Sequence, residues 1–189
     1  MPTYLDSALE RVVERVTTTY YGKYRATVAD ISDPENLCRI RANVPAVFHD
    51  QISQWAMPAF PFAGDGHGVV FLPKVGDGVW IEFEAGDLRY PIWSGGWFAN
   101  GQRPQPQGER VRVIVSDRGH KVVLDDENNT IVVSHAGGPE IRLSSSAIVM
   151  TSGNSELKMT KTEISLNRGM VEVTAAGVSL AQGAMKFGA

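Results

Sequence analysis

The chain has 189 residues, 43% of them hydrophobic and 21% charged, with a net charge of −3; this is the profile of one domain or two small ones and excludes a disordered or collagen-like chain. The slightly acidic balance argues against a dedicated nucleic-acid binder, and the single cysteine, Cys38, leaves no partner for an intrachain disulfide or a thiolate zinc cluster. No apolar run approaches the ~20 residues of a membrane-spanning helix, and the opening MPTYLD has neither the basic flank nor the apolar core of a secretory signal, so a soluble chain assembled in the reducing cytoplasm is expected.

Residues 5–17 read as a helix. Leu5, Leu9, Val12, Val13 and Val16 recur at spacings of three and four, while Glu10, Arg11, Glu14 and Arg15 fall on the other side. From Tyr24 the period changes to two: Tyr24, Ala26 and Val28, then Cys38, Ile40, Ala42 and Val44, alternate with polar residues and predict a hairpin. Further strands are expected at Gly68–Leu72, Gly78–Glu84 and about Arg89–Trp93. Five short antiparallel strands without a helical interruption suit a small closed barrel of the OB type, and periodicity alone leaves an SH3-like barrel open.

The aromatic residues divide the chain. Of 16, 15 lie between Tyr4 and Phe98, and only Phe187 follows. The first half can therefore build a compact core of its own, whereas the second has only aliphatic side chains to bury. Between them, residues 99–108 are rich in Gly and Pro and carry no apolar anchor larger than Ala. The expected organisation is a helical segment 1–20, a barrel 21–98, a linker 99–110 and a repetitive region 111–189.

In that last region apolar residues come in pairs two apart: Ile131 and Val133, Ile141 and Leu143, Ile148 and Met150, Leu157 and Met159, Ile164 and Leu166, Val171 and Val173, Val178 and Leu180. From Ile141 the pairs start 7, 9, 7, 7 and 7 residues apart, a repeat signature. Strands with two inward residues make a ribbon too thin to enclose a core, so other copies must complete it. Closed cyclic symmetry with three ribbons is the smallest arrangement that hides every inward face, and it predicts an intertwined trimeric β-helix or β-prism with these 14 residues as its shared core.

Several segments also match a known pattern. Residues 21–45 (YGKYRATVADISDPENLCRIRANVP), 55–64 (WAMPAFPFAG), 67–87 (HGVVFLPKVGDGVWIEFEAGD), 90–97 (YPIWSGGW) and 116–126 (SDRGHKVVLDD) follow one another in the order found in central spike proteins of contractile injection systems. The chain resembles phage baseplate assembly protein V and the related VgrG spikes. The resemblance implies a homotrimer whose OB domains form a collar and whose C-terminal ribbons form a needle, driven into a target membrane when a sheath contracts. It implies no cofactor, no metal and no catalytic residue. The helical stripe Leu5, Leu9, Val13 and Val16 is then expected to meet a baseplate hub protein, and Met185 and Phe187 to seat a PAAR-repeat tip protein.

Other chemistry was weighed on the residues themselves. Glu82 and Glu84 stand two apart on one strand, within the separation of paired glycosidase carboxylates, but an exposed strand face neutralised by Arg39 and Arg41 is the expected explanation. His49, His67, His120 and His135 are scattered without a metal or triad spacing, and residues 125–129 (DDENN) lack the ligand spacing of a calcium loop. The rival reading is an OB-type single-stranded nucleic-acid binder with a trimerising tail, which would use Lys23, Arg25, Arg39 and Arg41 on one face of the first hairpin.

Overall fold

The computed structural model describes residues 4–188 and divides into two units, 1–102 and 103–189. In the first unit α1 (Tyr4–Thr18) precedes β1 (Tyr24–Asp30), β2 (Arg41–Asn43), the short α2 (Pro45–Phe48), β3 (Met57–Pro58), β4 (Ala63–Gly64), β5 (His67–Gly68), β6 (Gly78–Phe83) and β7 (Pro91–Trp97). Five of these strands form one sheet in the order β2-β1-β6-β7-β3, antiparallel except where β3 joins β7. Alternation dictates the core: Ala26 and Val28 of β1, and Val79, Ile81 and Phe83 of β6, point to one side and are buried. Ile40, Ala42, Val44, Ala56 and Trp93 complete the cluster. Register shifts between Val28 and Asp30 and between Val79 and Ile81 bend the sheet around it. The rings of Tyr20, Tyr24 and Phe48 close one end over Phe83, with centroids 5.6–6.2 Å away.

Three expectations shift in this unit. The strand expected at Gly68–Leu72 is reduced to β5; Val69, Val70, Phe71 and Leu72 are consecutive apolar residues without alternation, and Val70 and Phe71 are left exposed. The strand expected at Arg89–Trp93 begins instead at Pro91 and runs to Trp97, because the Asp87–Tyr90 turn is held by the Tyr90 amide donating to the Asp87 carbonyl and by Arg89 folding onto the Asp87 carboxylate. Glu84 leaves β6 for a 3-10 turn in which Ala85 has φ 51°, so it does not extend the face that carries Glu82.

The second unit is one sheet of ten antiparallel strands in sequence order: β8 (Val111–Val115), β9 (Lys121–Asp125), β10 (Thr130–Ser134), β11 (Glu140–Ser144), β12 (Ile148–Ser152), β13 (Ser155–Met159), β14 (Glu163–Leu166), β15 (Val171–Thr174), β16 (Gly177–Leu180) and β17 (Met185–Phe187). Within one copy, the region expected to contribute to a β-helix or β-prism is this ten-stranded meander. Connections of two to five residues are too short to cross over, so every strand pairs with its neighbour in sequence. Left-handed backbone at Asn129, Gly153, Asn167 and Arg168 makes several of those turns.

The first unit's core is filled side chain by side chain, and Ile81 at its centre has no exposed surface. Ile81→Ala is expected to lower the stability of this unit by about 2–5 kcal/mol, read from the urea midpoint followed by tryptophan fluorescence.

Candidate functional site

Strand pairing in the second unit aligns the apolar pairs into two continuous rows on one face, because directly opposed residues of antiparallel strands share a face. One row runs Leu124, Ile131, Leu143, Ile148, Met159, Ile164, Val173, Val178, Phe187. The other runs Ile114, Val122, Val133, Ile141, Met150, Leu157, Leu166, Val171, Leu180, Met185. All 14 residues expected to form a shared core fall in these rows. Nine of them are exposed, Ile131, Met150 and Val173 to 43% each, and Leu143, Leu157, Val171, Val178 and Leu180 are half-buried. A shallow depression of about 610 Å³ runs along the second row between Val133 and Leu166.

The opposite face is different in kind. From β11 onward it presents Arg142, Val149, Lys158, Ser165, Glu172, Ser179 and Lys186 in register. Val149 apart, it is apolar at the start, where Val113, Val123 and Val132 align and the last two are buried. Val113 therefore faces away from Val122 and Leu124. Met185 and Phe187, which lie beyond the last expected pair Val178 and Leu180, are the final rungs of the two rows.

On the first unit the four cations of the hairpin are all engaged. Lys23 pairs with Glu82 and donates to Ser94 Oγ at 2.6 Å, while Ser94 Oγ donates to Glu82 Oε1 at 2.5 Å. Arg25 lies 5.5 Å and 4.8 Å from the ring centroids of Trp80 and Trp97. Arg39 binds Asp33 at 2.6 Å and Glu35 at 3.1 Å, and Arg41 Nε donates to the Ser53 carbonyl at 3.0 Å; both guanidinium groups lie about 6 Å from the Trp55 ring. Glu82 is thus neutralised by Lys23 and not by Arg39 or Arg41, and the Lys23 and Ser94 hydrogen bonds lower its pKa. A carboxylate held in this way is poorly suited to the protonated, acid-donating half of a glycosidase pair.

Residues 24–98 match the family model of the Type VI secretion system/phage-baseplate injector OB domain, and residues 112–172 match the phage baseplate V C-terminal trimerisation domain. The chain belongs to the phage baseplate V family. A comparison with curated proteins finds no match. The first match makes the curled sheet around Ile81 the injector OB domain, and the second supports assembly of this baseplate V chain as a homotrimer. The family is structural, of the baseplate or spike type.

The baseplate V chain also brings together residues that the sequence leaves apart. The rings of His120 and His135 lie with centroids 4.4 Å apart at the rim of β9 and β10. Each Nδ1 accepts a backbone amide, from Ala136 at 3.3 Å and from Gly137 at 2.9 Å. Only the pairing of β9 with β10 reveals this contact; the spacing of 15 residues carries no signal of it. His67 and His49 sit beside backbone carbonyls of their own turns. Among the described residues no group of three or more His, Cys, Asp or Glu side chains is placed to hold a metal ion.

Asp33 offers a pH test of the OB domain. Its side chain is only 4% exposed, and its pKa is held well below the usual carboxylate range, chiefly by Arg39, with the amides of Glu35, Arg39 and Leu37 adding to the effect and burial opposing it. A depressed folded pKa gives stability that is complete above the unfolded value, about pH 4, and is lost as pH falls through the folded value. Asp33→Asn should therefore cost stability at about pH 5, and the gap to wild type should narrow toward about pH 2, measured as urea midpoints across that range.

Proposed function

We propose that this chain is the central spike of a phage tail or phage-tail-like contractile injection particle. Three copies bring their apolar rows together into a shared core, and the assembled rod is driven into a target membrane when the sheath contracts. A baseplate hub protein holds one end and a PAAR-repeat tip protein seats at the other, on Met185 and Phe187. The observation that carries this reading is the pair of unbroken apolar rows, one spanning nine strands and the other ten, with most of their rungs exposed in one copy, in a chain whose residues 112–172 match a trimerisation domain. Burying the exposed part of each rung is worth on the order of 1 kcal/mol. Summed over the rows of three copies, that makes folding and association one equilibrium.

Charge has little part in this role. Lys23, Arg25, Arg39 and Arg41 are occupied by carboxylates, aromatic rings and a backbone carbonyl. The nucleic-acid reading therefore draws no support from them, and a spike incorporated into a phage particle needs none.

Ile164 lies in mid-row between Met159 and Val173. Ile164→Asp would place three carboxylates on one level of the core, an unpaired buried charge repeated by symmetry. Light scattering should give a trimer for wild type and a dissociated chain for Ile164→Asp; a stable wild-type monomer at micromolar concentration would refute the proposal. The double variant Met185→Ser, Phe187→Ser should remain trimeric and lose capture of a PAAR-repeat protein. Undiminished capture would move the tip contact elsewhere.

A further inference from the structure

Helix α1 leaves its unit from a fixed root. The Tyr20 amide donates to the Gly86 carbonyl at 2.9 Å, and the Tyr20 ring lies against Tyr24 and Phe83 with centroids 6.4 and 6.2 Å away. Gly86 has φ 81°, and a Cβ there would stand 3.0 Å from Thr19 and 3.1 Å from the Tyr20 nitrogen. The chain just beyond the helix is thus seated closely on the 84–86 turn. Yet its own unit leaves Leu9, Val12 and Val16 of the helix 64%, 58% and 72% exposed. The side chain of Leu5, the first residue of the expected stripe, lies outside the described residues.

The spacing of these residues is that of a seam between helices. Leu5, Leu9, Val12 and Val16 are four, three and four residues apart, so Leu9 and Val16 take a positions of a heptad and Leu5 and Val12 take d positions. Ala8 and Val13 fall at the flanking g and e positions and widen the apolar strip to that of a bundle helix. Glu10, Arg11 and Glu14 take the outer b, c and f positions. Each seam position carries one leucine and one valine, Leu9 and Val16 at a and Leu5 and Val12 at d, so the number of strands is set by the trimerisation domain of the same chain. A helix of 15 residues is marginal alone. The trimerisation domain of the same chain, however, tethers two further copies at an effective concentration on the order of millimolar.

We infer that α1 packs against the α1 helices of the other two copies as a parallel three-helix bundle. The occupant of the stripe is this chain itself, and a hub protein meets the outer surface of the bundle or the OB domain. The inference rests on the trimeric reading above. Parallel orientation follows from cyclic symmetry, which gives three identical roots at one end.

Hydrogen exchange on the full-length chain, without any partner protein, tests it. In the wild-type trimer the amides of residues 9–16 should exchange about 100-fold slower than in an unstructured segment. In the double variant Leu9→Glu, Val16→Glu this protection should vanish while light scattering still gives a trimer and the sheet amides stay protected. In dissociated Ile164→Asp it should vanish as well, with the OB strands unchanged. A Leu9→Cys variant, oxidised, should give covalent dimers that wild type with Cys38 alone does not. Fast exchange of α1 in the wild-type trimer, or absence of the Leu9→Cys cross-link, overturns the bundle and leaves the stripe to a hub protein. Protection that survives in the dissociated chain overturns it in favour of docking on the OB domain. A wild-type chain that is not a trimer fails the spike reading itself, a separate result seen in the scattering alone.

Discussion

A strand of four or five residues can turn only two or three side chains to one face. Everything distinctive about the second unit follows from that limit. Ten such strands in series give a long, narrow apolar surface, with no second layer among the described residues of this unit and no aromatic residue in it before Phe187. Between neighbouring strands the backbone hydrogen bonds are made within the sheet, but many side chains of the two rows are not removed from water. Association supplies what folding of one copy cannot, and the trimerisation match at 112–172 falls on this surface.

The OB domain meets the opposite condition. Its five-stranded sheet curls at two bulges and closes over Ile40, Ile81 and Trp93, so its core belongs to one chain. Polar groups follow the same economy of space. Asp33 organises its loop by accepting the amides of Glu35, Leu37 and Arg39 as well as the Arg39 guanidinium, and Trp97 donates its indole N–H to the carbonyls of Ala26 and Val79. Such contacts fix the loops of the domain, and Lys23, Arg25, Arg39 and Arg41 are engaged in the same way.

Much of this was legible in the residues, for identifiable reasons. Period two in Val79, Ile81 and Phe83 named the core of the OB domain, and pairs two apart from Ile131 to Leu180 named the apolar rows, because both signals depend only on local geometry. What the pairs did not carry was connectivity: a strand with two inward residues looks the same whichever strand lies beside it, and the short turns are what pair each one with its neighbour in sequence. Nonlocal partners were equally hidden. Lys23 and Glu82 are 59 residues apart, and nothing near either one announces the other. The last strand was missed because Met185–Phe187 is three residues long and lies between glycines, which read as a loop. The run from Val69 to Leu72 misled in the other direction, since high strand propensity without alternation did not hold it in the sheet.

The meander's length is quantised. Each strand adds ~4.8 Å along the stacking direction and reverses the chain. An even number of strands therefore returns the end of β17 to the lateral edge from which β8 sets out, and ten is such a number. Loss or duplication of one hairpin changes the length by about 10 Å and keeps both the apolar rows and the side on which the chain leaves. Loss of a single strand would carry the terminus to the other edge, and a one-residue insertion within a strand would turn its remaining rungs outward. Spikes of this construction can thus differ in reach by whole hairpins at little structural cost, while intermediate lengths are closed to them.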